Sequence, residues 1–324
     1  MSFLNETLAH DFNAQPHSKR LLNGTQLRFI DTGILRIKPV EPGAYRIVIS
    51  CGVHGNETAP IEIVEQLFQD IVTSQLVVKN ELLLIIGNPP AINKAQRFID
   101  ENLNRLFSGK QGLSSTQEAR RANLLERQVS AFFNEGSEPR LHYDLHTAIR
   151  DSEFERFAVS PFLHERAWSK PQIAFLERCG IDAVLLSAQP SGTFSYFSSH
   201  HFQADSFTVE LGKVRDFGHN DMANFADVIE GLRELISGQD CFNSEPNNTQ
   251  IFNVVADVVK RSNEFKLHFP DDAKNFTASP KGRLLASDRH YQYRTQQEGE
   301  RFVFPNANVP IGQRAMLVVA PTKR

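Results

Sequence analysis

Three observations predict an α/β fold followed by a small β-rich domain. Over the first 240 residues, short apolar runs alternate with segments whose apolar side chains recur every three or four positions. A polar stretch at 237–250 (SGQDCFNSEPNNTQ) then breaks the pattern. Beyond it lie short strand-like runs separated by turns at 280–282 and 306–310. Strand–helix alternation buries a sheet between helices on both of its faces. The expected boundaries are 1–240 for the α/β domain, with 1–45 unassigned within it, and 245–324 for the β-rich domain.

Taken in order, residues 26–39 read as strands able to pair with either part. Residues 45–51 (YRIVISC) form an apolar run of strand length. Residues 58–73 set Ile61, Val64, Leu67, Phe68 and Ile71 on one helical face, with Pro60 tolerated in the first turn. Residues 81–87 (ELLLIIG) are a second strand. Ser115 and Glu118 have the spacing of a capping box ahead of Leu124, Leu125, Val129, Phe132 and Phe133. Residues 141–145 are a third strand, and Pro171 and Gly180 bracket a helix. Strands follow at 183–187 and 207–211. Met222, Phe225, Val228, Ile229, Leu232, Leu235 and Ile236 then stripe a helix stopped at Gly238. In the final part, 251–259, 283–287, 291–294, 301–304 and 315–319 read as strands.

Composition removes several functions. A chain that is 40% hydrophobic and 23% charged is globular, not disordered. With 35 basic against 38 acidic residues, the net charge of −3 excludes a general nucleic-acid binder. Cys51, Cys179 and Cys241 are odd in number and scattered, so they make neither a disulfide framework nor a cysteine-built zinc site. A metal would have to use histidines and carboxylates. Residues 1–19 are polar and broken by charges, unlike a secretory signal. The longest apolar runs, such as 82–86, are far too short to span a bilayer. The expected compartment is therefore the cytoplasm, with no membrane partner; oligomeric state has no signature here.

Ligands of α/β sheets bind at the carboxyl ends of strands, which selects among the polar residues. The run 51–57 (CGVHGNE) puts His54 and Glu57 three apart on a turn between strand and helix, with Gly52 and Gly55 allowing a sharp bend. His146 ends another strand in Asp144-Leu145-His146-Thr147. Two histidines and a glutamate with one open position make a catalytic zinc set, and Asp144 could orient a ligand from behind. The plain alternatives are a surface His–Glu pair and a satisfied strand-end histidine. Cys51, an odd separation from His54, reads as a buried structural residue. His142, His200, His201 and His219 are further possible ligands, the 200–201 pair in a serine-rich loop.

Glu210 is a charge inside the apolar strand FTVELG, costly unless paired. It is either a salt-bridged carboxylate or a general base beside a metal-activated water. After the second strand, residues 88–107 concentrate Lys94, Arg97 and Arg105, with Asn104 beside them and Lys110 just beyond. Arginine forks suit bidentate carboxylate binding; a solvated loop with local ion pairs is the alternative.

HGNE, NPP…R…NLNRLF, DLHTAIR and VELGK, in this order, resemble the succinylglutamate desuccinylase/aspartoacylase family, a branch of the zinc carboxypeptidase-like hydrolases. The strings DLHTAIRDSEFERFAVSP, GTFSYFSSHHFQADSFTVELGKVRDFG and FPNANVPIGQRA resemble its desuccinylase members in particular. The likeness runs from about Ile47 to the C-terminus. It implies a mixed α/β catalytic domain with a smaller β domain behind it. It also implies one Zn2+ per chain on His54, Glu57 and His146, catalysis by Glu210, and substrate carboxylates held by Arg97, Asn104 and Arg105. The implied reaction is hydrolysis of N-succinyl-L-glutamate to succinate and L-glutamate, the last step of arginine catabolism by the succinyltransferase route. Such a substrate carries three carboxylates, which suits an arginine cluster, and Arg97 or Arg105 would also steady the oxyanion. Asn102 stands where some members carry an acidic residue.

The rivals are a related amidohydrolase acting on N-acetylaspartate, a carboxypeptidase, and a non-catalytic binding protein on the same fold. An N-acetylaspartate enzyme would need no pocket for a second acyl carboxylate; Arg150, Lys213 and Arg215 are the candidates for that pocket.

Overall fold

The computed structural model describes residues 1–9, 15–41, 43–112 and 114–322. Residues 10–14, inside the polar amino-terminal stretch read above, lie outside them. The first part runs α1 (Phe3–Leu8), β1 (His17–Arg20), β2 (Gln26–Asp31), β3 (Ile34–Lys38), β4 (Arg46–Cys51), α2 (Thr58–Val72), β5 (Glu81–Ile86), α3 (Pro89–Asn93), α4 (Gln117–Asn134), β6 (Arg140–Ala148), β7 (Arg156–Ser160), α5 (Lys170–Arg178), β8 (Ala183–Leu186), α6 (Phe194–Phe202), β9 (Asp205–Lys213) and α7 (Ala226–Ile236). The second holds β10 (Gln250–Val259), β11 (Lys266–Leu267), β12 (Ala278–Ser279), β13 (Leu284–Asp288), β14 (Tyr291–Arg294), β15 (Glu300–Val303) and β16 (Arg314–Pro321).

Thirteen strands form one sheet in the order β1-β2-β3-β5-β4-β6-β9-β7-β8-β10-β16-β15-β12, and β11-β13-β14 form another. The centre, β5-β4-β6-β9, is parallel. β3 and β7 flank it antiparallel, so the sheet is mixed. The β2–β3 hairpin settles the ambiguity of residues 26–39: it pairs with β5. β10 pairs with both β8 and β16, which carries the ladder on into the β-rich part.

Side-chain alternation explains the helices on both faces. Ile47, Ile49 and Cys51 of β4 and Leu141, Tyr143 and Leu145 of β6 pack in one core with residues of α2, α5 and α7. Val48, Leu83 and Ile85 point the other way, into a core with residues of α4 and α6. In α2, six residues are β-branched, each costing up to about 0.7 kcal/mol of helix preference. Burial of Ile61, Val64, Leu67, Phe68 and Ile71, worth about 1.5–3 kcal/mol apiece, outweighs that.

The chain leaves β4 through α2 for β5 on one side, then returns past β4 to β6 on the other. This reversal opens a crevice at the carboxyl ends of β4 and β6. Some local expectations change. Thr116, not Ser115, caps α4, accepting from the Ala119 N–H. Glu118 is buried and turned toward the 88–100 loop instead of closing a capping box. His200 and His201 lie on α6, not in a loop. Its sequence, FSYFSSHHF, is poor in strong helix formers; Thr193 caps it and buried Phe194 and Phe197 hold it down. No helix among the described residues is long and apolar enough to cross a membrane.

Candidate metal centre and active site

β4 ends at Cys51, and Gly52 turns the chain at φ +60°. At Gly55 a Cβ would sit 2.2 Å from the carbonyl carbon of Ala91, so only glycine lets this turn lie against α3. The turn delivers His54, and Glu57 stands just ahead of α2. His146 arrives from β6. All three are buried, and one ligand atom from each lies within 4.8 Å of the others. Nδ1 of His54 is 2.9 Å from Glu57 Oε1, and Nδ1 of His146 is 2.9 Å from Glu57 Oε2.

Proton positions test whether a cation fits. Asn102 Oδ1 accepts the Asn104 N–H (3.0 Å), which identifies it as the amide oxygen. The His54 Nε2 facing that oxygen at 2.9 Å therefore carries the hydrogen. Burial holds His54 down at about 4, so its ring is neutral at pH 7 and Nδ1 bears a lone pair. That lone pair faces a carboxylate oxygen, with no hydrogen bond between them. Two acceptors this close call for a cation, and imidazole with carboxylate suits zinc.

His146 differs. Its Nε2 lies 2.9 Å from Asp144 Oδ2, while Nδ1 faces Glu57. Burial opposes a charge there, but Asp144 and Glu57 outweigh it and hold the imidazole well above the ordinary histidine range. A cation in place of the Nδ1 proton leaves Nε2–H on Asp144, the usual carboxylate–histidine–metal arrangement. Asp144 thus orients the ring from the same face of the strand.

Glu210 is paired in register with His146 across β6 and β9. It is 7% exposed, and its Oε2 is buried without a hydrogen-bond partner. Burial, then the charge of Glu57, push it up to about 7, against the pull of His146 and Arg97.

The arginine loop divides. Arg97 Nη1 donates to Glu57 Oε1 at 2.6 Å. Asn104 is buried: its Oδ1 accepts the Phe194 N–H at 2.9 Å, so its amide ties the loop to α6, and its Nδ2, a donor like the His146 Nε2–H, lies 3.4 Å from that nitrogen without a hydrogen bond to it. Arg105 is exposed to solvent yet crowded; desolvation, then Arg314 and Arg97, lower its pKa, and Glu210 is near. Glu118 anchors the loop by accepting the Ile99 N–H (2.7 Å) and the Asp100 N–H (3.3 Å). Lys94 and Lys110 are exposed, as are His200, His201 and His219. Arg150 bonds the backbone carbonyls of Asp271 and Ala273, and Lys213 pairs with Asp151 at 3.1 Å. Sequence reading named Asn102 and Glu118 but not their bonds to His54 and to the 99–100 backbone, and it missed Arg314, whose charge reaches Arg105 from β16; each partner lies 18 or more residues away in the chain.

A family model described as Succinylglutamate desuccinylase/Aspartoacylase catalytic domain matches residues 44–236. An AstE/AspA barrel-sandwich hybrid domain matches 247–322. The succinylglutamate desuccinylase of Idiomarina loihiensis is 47% identical over 98% of this chain and 95% of its own length. That of Pseudoalteromonas atlantica is 49% identical over 95% and 90%. Among solved structures, the enzyme of that name from Vibrio parahaemolyticus superposes with a TM-score of 0.93 at 36% identity, covering 100% of this chain and 96% of that one. The one from Chromobacterium violaceum gives 0.90 at 39%, covering 100% and 98%. With both domain models matched in order, and relatives this similar over nearly the whole length, the chain belongs to the succinylglutamate desuccinylase/aspartoacylase family.

Proposed function

We propose that the chain is a zinc-dependent amidohydrolase that cleaves N-succinyl-L-glutamate to succinate and L-glutamate, the last step of arginine catabolism by the succinyltransferase route, in the cytoplasm. The 47% identity over 98% of the chain to a relative of that name carries the reading. The lone pair of His54 aimed at Glu57 supports the metal.

His54 and His146, each through Nδ1, and the Glu57 carboxylate would hold one zinc ion. The ion supplies Lewis-acid polarisation of the amide carbonyl and lowers the pKa of a water. Glu210 takes the proton of the attacking water on its carboxylate. It then gives that proton to the glutamate nitrogen as the C–N bond breaks. A carboxyl poised near 7 serves in both directions. Arg97 and Arg105 receive substrate carboxylates, with Asn104 holding Arg105's turn against α6. Arg314 adds positive charge from β16, which suits a substrate with three carboxylates.

The test is a hydrolysis panel of N-succinylglutamate, N-acetylaspartate, N-acetylglutamate and a dipeptide, with metal content measured on the same sample. Preference for N-succinylglutamate by zinc-loaded protein supports the reading. Preference for N-acetylaspartate, or full activity without metal, overturns it.

A further inference from the structure

A row of buried hydrogen bonds continues from the candidate ligand His146 into the core. Asp144 accepts from His146 at Oδ2 and from the Ser50 hydroxyl at Oδ1, the latter over 2.5 Å. Ser50 Oγ lies 2.8 Å from His142 Nε2, and His142 Nδ1 lies 2.7 Å from Ser198 Oγ. Ser50, His142, Asp144 and Ser198 are all 0% exposed. Register explains the alignment: Ser50 on β4 stands opposite Asp144 on β6, and His142, Asp144 and His146 alternate onto one face. Helix α6 brings Ser198, and its Phe194 ring packs edge-on to His142 at 4.7 Å.

Each proton in the row has one place to be. A carboxylate only accepts, so the Ser50 hydroxyl donates to Asp144. That hydroxyl has a single hydrogen, so toward His142 it accepts, and the hydrogen sits on His142 Nε2. His142 is neutral, held down by burial, so Nδ1 accepts from the Ser198 hydroxyl. Every donor points toward Asp144. No other side-chain hydrogen bond leaves Ser50, His142 or Asp144 among the described residues. The neighbouring Val48 shows that this face of β4 packs apolar side chains. Leaving one buried partner unsatisfied costs about 1–3 kcal/mol, so the polar set is an expensive way to fill a core.

We propose that Ser50 and His142 are positioning residues of the metal centre. His142, as the Nε2–H tautomer, orients the Ser50 hydroxyl. The hydroxyl aims Asp144, and Asp144 fixes the tautomer and direction of His146. This rests on reading His54, Glu57 and His146 as a metal site.

The experiment measures zinc affinity by chelator competition in wild type, Ser50→Ala and Ser198→Ala. It is paired with side-chain 15N shifts of His142 in the metal-free wild type and with kcat and KM at saturating zinc. Ser50→Ala is expected to weaken zinc binding roughly 10–100-fold and to lower kcat more than KM changes. Ser198→Ala should shift both in the same direction by less. His142 should show the Nε2–H tautomer. Unchanged zinc affinity in the folded variants, or an Nδ1–H tautomer, overturns the proposal. If Ser50→Ala does not fold, Ser198→Ala and the 15N shifts decide. A wild type that binds no zinc overturns the metal reading as well, whereas tight wild-type binding with unaffected variants overturns this inference alone.

Discussion

Nδ1 of His54 sits 2.9 Å from Glu57 Oε1, and the hydrogen of that imidazole is on the opposite nitrogen, facing Asn102. Such a contact is repulsive until a cation fills it. Stripping metal is therefore expected to abolish amide hydrolysis, and one equivalent of zinc to restore it. Zinc should also stabilise the fold, by about 4 kcal/mol at a free concentration a thousand times Kd. Calorimetry with and without chelator checks this; an unchanged melting temperature together with retained activity would sink the metal centre.

His146 sets the pH dependence of binding. In the metal-free protein, Asp144 and Glu57 hold it protonated well above the ordinary histidine range. Metal and proton compete for Nδ1. Binding at pH 7 should release about one proton, and affinity should rise about tenfold per pH unit while metal-free His146 keeps its charge. Titration calorimetry in buffers of different ionisation enthalpy counts the proton. An observed enthalpy that does not vary with buffer contradicts it.

Glu210→Gln is expected to keep metal and to lose about 10²–10⁴-fold in turnover, because the base is gone while the ligands stay. It also has a stability consequence. The folded pKa, about 7, lies above the unfolded value of about 4.3. The neutral carboxyl is tolerated, so stability is full below the unfolded pKa and falls as pH rises through 7. At about 1.4 kcal/mol per pKa unit, the metal-free variant should gain roughly 4 kcal/mol over wild type at pH 8 and almost nothing at pH 4. Urea unfolding at the two pH values tests the sign; a loss at pH 8 refutes it.

The parallel strands were legible because β4 and β5 are almost wholly apolar while β6 and β9 set apolar residues at alternate positions, and each ends near Gly or polar residues. The candidate centre was legible for the same reason: His54, His146 and Glu210 each interrupt or end such a run. β7 escaped notice because FAVS is short and takes its pairing from β8 and β9. α6 escaped because packing, not propensity, makes it a helix. Ser50 and His142 were hidden in plain strands: a polar residue on an inward position gives no sign of its partner until register is known. The arginines read as a substrate clamp, and in the structure Arg97 also donates to Glu57. Sequence reveals a cluster of charge but not which member faces inward.

Glu118 supplies the last expectation. Its Oε1 accepts from Ile99 N–H and Asn88 Nδ2, and Oε2 from Asp100 N–H. These bonds hold the segment between Arg97 and Asn102, and Asn102 orients His54. In Glu118→Gln, one oxygen still accepts while the new NH2 must meet a donor, most simply Asp100 N–H. The segment should loosen on that side, raising KM about tenfold with a smaller change in kcat, since each lost buried bond is worth about 1–3 kcal/mol. Glu118→Ala removes both oxygens and should weaken zinc binding too, through Asn102 and His54. Amide exchange at Ile99 and Asp100, read beside KM and zinc affinity, separates the two variants. Protected amides in Glu118→Ala would mean that the loop is held by something other than this carboxylate.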